Sequence, residues 1–312
     1  MSNTLCFYHG SDDDGRCSAA LVKLKYPEAR LYPVTYSVFS KEHQYLIEKI
    51  QENDTIIICD FCFSMEAIKW MQEDMRCNVI VLDHHITTIK KIKESGLSIQ
   101  GIRNVEKSGC ELTWQYFYDS KSINHIVYLI GRWDVWKHHE DEDIVPFHYG
   151  MGQLNTDPIN NMALWTILLT DNDSLVLKYK KQMIQEILNN GNVILQYTEQ
   201  ENSYRSKGAF CCTLKGFENI RLVCIFGGYG SYTFKSIWNP EWFDAMMTAN
   251  YDGEKWSCSI YTDKEDVDVS IVAESFGGGG HRGACGFITT DVFSVMNVGK
   301  RVKNGSAPNV GE

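Results

Sequence analysis

Two short apolar runs that each end in an acidic residue constrain the fold of this chain most. Thr55–Cys59 precedes Asp60, and residues 79–82 precede Asp83. Parallel strands that are covered by helices on both faces are continuous apolar runs of this kind. The stretches before and between these runs have helical spacing, so strands and helices alternate. We therefore predict a mostly parallel, doubly wound α/β sheet in the first part of the chain.

Composition narrows the class of protein. The 312 residues are 44% hydrophobic and 22% charged, which is ordinary for a globular protein and argues against disorder. No apolar run reaches the roughly 20 residues that span a bilayer, and the first residues lack the pattern of a signal peptide. Eleven scattered cysteines then indicate reduced thiols. We predict a cytoplasmic protein that does not associate with membranes.

The net charge of −10 limits the kind of molecule that the protein can be expected to bind. Proteins that follow long nucleic acids show a basic stripe, because contacts with phosphate dominate their affinity. The sequence shows no such stripe, so the charge favours a short or small phosphorylated substrate over a long duplex. A homo-oligomer stays an open alternative.

Four acidic segments lie where we expect strands to end: residues 9–15, Asp60, residues 83–85 and residues 132–134. The carboxyl ends of neighbouring parallel strands meet at one crevice of an open sheet. Carboxylates gathered there would repel one another without a cation, so the pattern predicts divalent metal ions. Two ions roughly 3.5–4 Å apart need about this many ligands. Imidazole with carboxylate favours Mn²⁺, with Mg²⁺, Co²⁺ or Fe²⁺ as competitors.

Two further segments carry donors for phosphate. Residues 277–281 are four glycines and a histidine, and consecutive glycines let a phosphate approach backbone N–H groups. Arg282 would add a forked contact, whereas the alternative is a flexible loop. Ser108 begins a capping box with Glu111, so it could cap a helix, donate to a phosphate, or do both.

In their order, these motifs resemble those of the DHH–DHHA1 phosphoesterases, a family that contains RecJ-type exonucleases, nano-RNases and cyclic-dinucleotide phosphodiesterases. The resemblance spans residues 5–287 and rests on His9…Asp12-x-Asp14-Gly15, Asp60 after its strand, Asp83-His84-His85, Asp134, and Gly278-Gly279-Gly280-His281-x-x-Ala284-x-Gly286. It implies a DHH domain followed by a smaller α/β DHHA1 domain.

The resemblance also implies roles for the metal ligands. His9 and Asp12 would hold a first ion, and Asp60 would bridge it to a second. The second ion would be held by Asp60 together with the remaining ligands, Asp14, His84 and Asp134. Two residues separate His9 from the Asp12-x-Asp14 pair, whereas one residue does so in the commonest form. Whether His9 is a direct ligand therefore stays open.

Catalytic and substrate-binding roles follow from the same resemblance. Asp83 would orient its neighbours, and His85 would bind the scissile phosphate or protonate the leaving oxygen. Water activated between the two ions would attack phosphorus in line. The substrate would be gripped away from the metal ions by Ser108, Gly278, Gly279, Gly280, His281 and Arg282.

The expected activity is Mn²⁺-dependent hydrolysis of short oligoribonucleotides to nucleoside 5′-monophosphates. The alternatives are a phosphodiesterase for cyclic or linear dinucleotides, an enzyme that cleaves pyrophosphate or polyphosphate, and an inactive nucleotide-binding protein. We predict a catalytic metal-binding domain over residues 1–185 and a helical linker over residues 186–207. A substrate-binding domain over residues 208–290 and a C-terminal tail over residues 291–312 would follow.

Overall fold

A four-stranded parallel sheet organises the first part of the molecule. The computed structural model describes residues 2–35, 42–118, 122–170 and 174–302, and it divides into unit 1, Met1–Ile194, and unit 2, Leu195–Glu312. The strands of unit 1 are β1 Thr4–His9, β2 Arg30–Val34, β3 Thr55–Cys59 and β4 Asn78–Leu82, in the order β2–β1–β3–β4 with every pair parallel. The predicted parallel α/β sheet is confirmed. Strand β2 was not predicted, because only its last residue is fully buried.

Helices cover both faces of this sheet. Along β3, Ile56 and Ile58 face one buried cluster, whereas Ile57 and Cys59 face another. The helices are α1 Asp13–Lys25, α2 Glu42–Ile47, α3 Met65–Glu73, α4 Ile86–Ser95, α5 Gly109–Tyr118, α6 His125–Asp134, α7 Ile144–Met151 and α8 Met162–Leu169. Burial on both faces explains why the strands are continuous apolar runs.

The strand order places a ligand crevice at the end of β1. The chain passes from β1 to β2 on one side, and β3 then pairs with β1 on the other side. Open α/β sheets bind ligands outside the carboxyl ends of the strands at such a reversal. The carboxyl ends of β1 and β3 are followed by the first two acidic segments.

A 32-residue helix, α9 Ser174–Arg205, contains the division between the two units. The helix continues without a break through Gly191. A Cβ at Gly191 would lie 1.7 Å from the carbonyl oxygen of Pro146, so this glycine allows α7 and α9 to pack closely. The predicted domain boundaries at 185 and 207 stay predictions. Among the described residues, no helix combines the length and apolar character needed to cross a membrane.

Unit 2 is built on a mixed seven-stranded sheet in which only β6 and β7 pair in parallel. Its order is β11–β5–β6–β7–β8–β10–β9, and the strands are β5 Phe210–Leu214, β6 Phe217–Phe226, β7 Ala245–Tyr251, β8 Trp256–Tyr261, β9 Gly279–Gly280, β10 Ala284–Thr289 and β11 Met296–Arg301. Helices α10 Ser270–Ser275 and α11 Val292–Val295 complete the unit.

The predicted C-terminal tail is wrong over residues 292–301. These residues form α11 and then β11, which pairs with β5 in antiparallel register. The sequence pattern concealed this strand because it lies at the edge of the sheet and Met296 is its one fully buried residue. Residues 303–312 of the predicted tail lie outside the described residues.

Candidate metal centre

The end of β1 and the start of α1 bring His9 and Asp12 together. Asp12 caps α1, since its Oδ1 accepts from the N–H of Gly15 at 3.0 Å. Its Oδ2 lies 2.8 Å from His9 Nδ1. Gly15 lies within the first turn of the helix, and a Cβ there would be 2.0 Å from the carbonyl oxygen of His9. The glycine therefore permits close packing of α1 against the end of β1.

Asp60 lies between two groups of possible ligands. Its Oδ1 is 3.1 Å from His84 Nε2, and its Oδ2 is 3.6 Å from His9 Nδ1. Its backbone is left-handed, with φ of +64°, and its N–H donates to the carbonyl oxygen of Leu82 at 2.8 Å. Such a backbone is uncommon outside glycine, although Asp and Asn tolerate it best. The two oxygens are thus directed as a bridging carboxylate requires.

The N-terminus of α5 holds Asp14. The N–H groups of Gly109 and Cys110 donate to its Oδ2 and Oδ1 at 2.7 and 2.8 Å, and the side chain is buried. A Cβ at Gly109 would lie 2.6 Å from Cβ of Asp60. Sequence reasoning identified the capping box here but missed the contact of the first turn with Asp14. Only the glycine at the start of the helix could have signalled such a close approach.

Asp134 is the last residue of α6, so the prediction that it follows a strand is wrong. The capping residue Asn124 starts this helix, and ten residues later its final turn delivers Asp134 to the site. Asp134 Oδ2 lies 3.3 Å from His84 Nε2, is buried, and accepts no hydrogen bond from the described residues. His84 Nε2 is also 3.9 Å from Asp14 Oδ2. A buried carboxylate oxygen without a donor suits a cation.

Asp83 fixes the two histidines that follow β4. Its Oδ1 accepts from the N–H groups of His84 and His85 at 2.8 and 3.2 Å, and it lies 2.7 Å from His85 Nδ1. Asp83 is fully buried, whereas the side chain of His85 is 32% exposed. The carboxylate therefore orients an imidazole that remains accessible.

Two sets of three residues emerge, and in each set the ligand atoms lie within 4.8 Å of one another. The first set is His9, Asp12 and Asp60, and the second is Asp14, His84 and Asp134. All the donors are carboxylate oxygens and imidazole nitrogens, which suit hard or borderline divalent ions such as Mn²⁺ and Mg²⁺. The structure thus brings together every residue that the sequence suggested as a metal ligand.

Protonation shows how the cluster is balanced without cations. Burial and the neighbouring Asp60 raise the pKa of Asp14 well above its usual value. Burial, opposed by His84, raises the pKa of Asp134 to about 7. Burial would lower the pKa of His9, but its hydrogen bonds with Asp12 and Asp60 raise it to about 11. Protons thus occupy positions that metal ions could take, and metal binding would release them.

A small pocket, with a cavity volume of about 70 Å³, adjoins these carboxylates within unit 1. Its acidic wall is formed by residues 12–14 and Asp134, and its other wall is mainly apolar: Leu129, Ile130, Trp133, Phe147, His148 and Met151. The ring of Trp133 stacks on His148, with centroids 3.7 Å apart. Burial, with repulsion from His138, lowers the pKa of His148 to about 4, so this wall is uncharged at neutral pH.

Ser108 does not contact solvent. Its side chain is fully buried, and its Oγ accepts from the N–H of Glu111 at 3.4 Å. The N–H of Ser108 donates to Glu111 Oε2 at 3.0 Å, so the predicted capping box is confirmed. These contacts account for Ser108 through the helix cap, and its contact with a substrate phosphate stays a prediction.

In unit 2 the glycine tract is a helix end followed by an edge strand. The N–H of Gly278 donates to the carbonyl oxygen of Ala273 at 2.8 Å, and Gly279 and Gly280 form β9. A Cβ on Gly278 would lie 2.0 Å from the carbonyl oxygen of Gly286, whereas a Cβ on Gly279 would meet nothing. Close backbone packing thus accounts for Gly278, and Gly279 has space beside it.

His281 and Arg282 form the turn between β9 and β10. The N–H of His281 donates to the carbonyl oxygen of Ala284 at 2.7 Å. The guanidinium of Arg282 donates to three backbone carbonyls within residues 264–267, at 2.8–3.1 Å from its NH1. The guanidinium therefore ties the turn to the preceding loop, and the forked contact of Arg282 with phosphate stays a prediction.

No protein-family model matches the chain. An uncharacterised protein of Acanthamoeba polyphaga mimivirus is 24% identical over 304 residues, which cover 89% of this chain and 66% of that protein, slightly less than two thirds of its length. A pGpG-specific phosphodiesterase of Vibrio cholerae has a TM-score of 0.49 at 14% identity, covering 93% of this chain and 94% of that one. An exopolyphosphatase-related protein of Bacteroides fragilis has a TM-score of 0.43 at 17% identity, covering 92% and 86%. At these levels the function has to be argued from the metal centre itself.

Proposed function

We propose that this chain is a phosphodiesterase that depends on two divalent ions, Mn²⁺ being the best suited, and hydrolyses short oligoribonucleotides to nucleoside 5′-monophosphates. The position of Asp60 carries the proposal. Its Oδ2 faces His9 and its Oδ1 faces His84, so one carboxylate touches both sets of ligands. A shared carboxylate between two ligand sets is the arrangement that two-metal hydrolases of phosphate esters require.

The ligands divide between the two positions. His9 and Asp12 would hold one ion, and Asp14, His84 and Asp134 would hold the other, with Asp60 between them. When bound, the ions supply Lewis acidity toward a phosphoryl group and lower the pKa of water. The chain's own contribution is to keep these side chains oriented, through the helix cap at Asp12 and the N–H groups that hold Asp14.

His85 is suited to hold a proton near the substrate. Burial would lower its pKa, but the hydrogen bond with Asp83 raises it, so the ring is protonated over a wider pH range than a free histidine. Because Nδ1 faces Asp83 at 2.7 Å, Nε2 is the atom that would donate to a phosphate oxygen or to the leaving oxygen. Asp83 itself stays ionised, since the same hydrogen bond lowers its pKa despite burial.

The choice of a short substrate is supported by charge and by space. A net charge of −10 disfavours long nucleic acids, whose binding depends on many basic contacts. The pocket beside Asp12 and Asp134 is small, with a cavity volume of about 70 Å³, which favours a small phosphorylated group over a long strand. In unit 2, Gly279 and His281 are the residues that we propose to contact the remainder of the substrate. Gly278 and Gly280 serve chiefly to shape that turn.

The proposal is tested by mass spectrometry of digests with Mn²⁺. The substrates are a 5′-phosphorylated diadenylate, a five-nucleotide RNA, cyclic di-adenylate and pyrophosphate. The variants Asp60→Asn and His84→Ala are compared with Asp244→Asn, which removes a carboxylate paired with Arg221 in unit 2. Release of monophosphates from both linear RNAs, lost only in the first two variants, would support the proposal.

Other outcomes point elsewhere. Cleavage confined to the cyclic compound would indicate a dinucleotide phosphodiesterase, and cleavage of pyrophosphate alone would indicate a phosphatase of inorganic substrates. Binding of dinucleotide without turnover would indicate an inactive nucleotide-binding protein. Each of these results would overturn the proposed activity.

A further inference from the structure

A buried ion pair lies behind the metal centre, outside both sets of ligands. Arg132 of α6 donates from its NH2 to Oε2 of Glu111 in α5, and their side chains are only 8% and 6% exposed. Arg132 NH2 also donates to the carbonyl oxygen of Glu106 at 3.2 Å, and its NH1 lies 3.8 Å from Glu140 Oε2. The pair joins the first turn of α5 to the last turn of α6.

On the side of α5, the pair acts on the helix end that holds Asp14. Glu111 Oε2 accepts from the N–H of Ser108 at 3.0 Å, which fixes the start of the helix. The next two N–H groups, of Gly109 and Cys110, are those that donate to the carboxylate of Asp14. A change in the position of Glu111 would therefore move both donors of Asp14.

On the side of α6, the pair acts on the helix end that carries Asp134. Arg132 precedes Asp134 by two residues in the same final turn. Gly131 packs directly on Glu111, because a Cβ there would lie 2.6 Å from Glu111 Cγ and 2.8 Å from Ser108 Oγ. The two helix ends are thus in close contact, and the ion pair sets how they meet.

We propose that Glu111 and Arg132 are positioning residues that hold Asp14 and Asp134 at the distance from His84 that the second metal ion needs. This inference rests on the proposed two-metal function. Removing two charges from water is costly, and apolar residues of similar volume often stabilise a fold as well as a buried ion pair does. The advantage of an ion pair at this place is that it fixes how the two helix ends meet. The ion pair does not hold any side chain of the first set of ligands, which is His9, Asp12 and Asp60.

The test is calorimetric titration of Mn²⁺ into the metal-free full chain, with wild type compared with Glu111→Gln and Arg132→Gln. In Glu111→Gln, the glutamine keeps a side-chain oxygen that accepts from the N–H of Ser108. The helix cap is therefore retained while the ion pair is lost. The matched control is Arg221→Gln, which breaks the ion pair with Asp244 in unit 2. Partners that orient metal ligands typically contribute about 10–100-fold to metal affinity. We expect a weakening of about this size at one of the two sites in both test variants, an unchanged second site, and no change in the control.

Thermal unfolding in chelator separates positioning from stability. If the test variants lose thermal stability but bind both ions as wild type does, or if both sites weaken equally, the positioning role is overturned while the proposed function stands. A wild-type chain that binds no Mn²⁺ would overturn both. Should the glutamine variants fail to fold, Arg132→Lys keeps the charge but not the planar geometry, and it should weaken one site only. Equal affinities for that variant and wild type would overturn the inference.

Discussion

We predicted two sites of ligand contact, and the structure accounts for them in different ways. One is the carboxyl edge of the sheet in unit 1, and the other is the hairpin of β9 and β10 in unit 2, which includes the glycines. At the sheet edge, Asp14 and His84 are almost fully buried beside further carboxylates. Nothing in the packing of the fold requires so many ionisable groups there. In the hairpin, the backbone around Gly278 and Gly280 leaves no room for a side chain. Their identity follows from packing, whether or not a ligand binds.

This difference shows which motif carries functional information. Buried charges are costly unless they are paired or coordinate a metal, so a cluster of them needs a chemical explanation. A glycine in a tight turn needs only a steric one. The metal centre therefore supports the proposed activity by itself, whereas the hairpin contributes only through Gly279 and His281.

The largest expected effect comes from Asp60→Asn. Asparagine tolerates the left-handed backbone at this position, so the substitution removes the charge without adding backbone strain. We expect kcat/KM with a short RNA to fall by about 10³-fold or more, equivalent to about 4 kcal/mol, because both ions lose a shared ligand. Steady-state kinetics with Mn²⁺ measure this effect, and metal analysis should show fewer than two ions per chain.

The matched substitution in unit 2 is Asp244→Asn. The carboxylate of Asp244 is partly buried, but its contacts with Arg221 and Lys264 lower its pKa to about 2. We expect the unfolding free energy of this variant to be about 1 kcal/mol lower than that of wild type at pH 7. The number of metal ions bound per chain should not change. If Asp244→Asn impaired catalysis as much as Asp60→Asn, the carboxylates of the two units would not differ in role.

Asp134→Asn should change stability in opposite directions with and without metal. The folded pKa of Asp134 is about 7, above the value of 3.8 for an unperturbed Asp, so the folded chain holds a proton that the unfolded chain has lost. The unfolding free energy of the metal-free wild type therefore falls as pH rises from about 4 through 7. At pH 8 we expect the metal-free variant to be more stable than wild type by on the order of 2 kcal/mol.

With Mn²⁺ present, the order should reverse, because an ion that binds only the folded state stabilises it and the variant has lost a ligand. The unfolding free energies of wild type and variant are measured with denaturant at pH 5 and pH 8, each in chelator and in Mn²⁺. A variant that is less stable than wild type in chelator at pH 8 would show that Asp134 serves the fold and not an ion.

The sequence was sufficient to predict the parallel sheet and the proximity of the six candidate metal ligands, because both depend on local patterns. Apolar runs followed by Asp60 and Asp83 mark the strand ends, and parallel strands bring such ends together. The helical setting of Asp134 and the hold of Gly109 on Asp14 were missed, since each depends on how α5 and α6 pack. The strand β11 was missed because an edge strand with one fully buried residue has little pattern to detect.

The smallest effect separates two adjacent glycines of the hairpin. Gly280 has φ of +140°, and a Cβ there would lie 2.6 Å from Cα of Cys285. We expect Gly280→Ala to lower the unfolding free energy by about 2 kcal/mol, because the residue combines backbone strain with a steric clash. Gly279 has open space for a Cβ and an ordinary φ. Gly279→Ala should change the unfolding free energy by no more than about 0.5 kcal/mol.

Activity then decides whether the open space at Gly279 matters. If this space receives part of the substrate, Gly279→Ala raises KM for a short RNA while kcat and thermal stability stay close to wild type, because the added methyl group obstructs binding away from the metal ions. If KM is unchanged, both glycines serve only the hairpin, and the proposed contact of Gly279 with substrate is overturned. A fall in kcat at constant KM would contradict the contrast drawn above, since it would place the hairpin in the chemical step together with the metal centre.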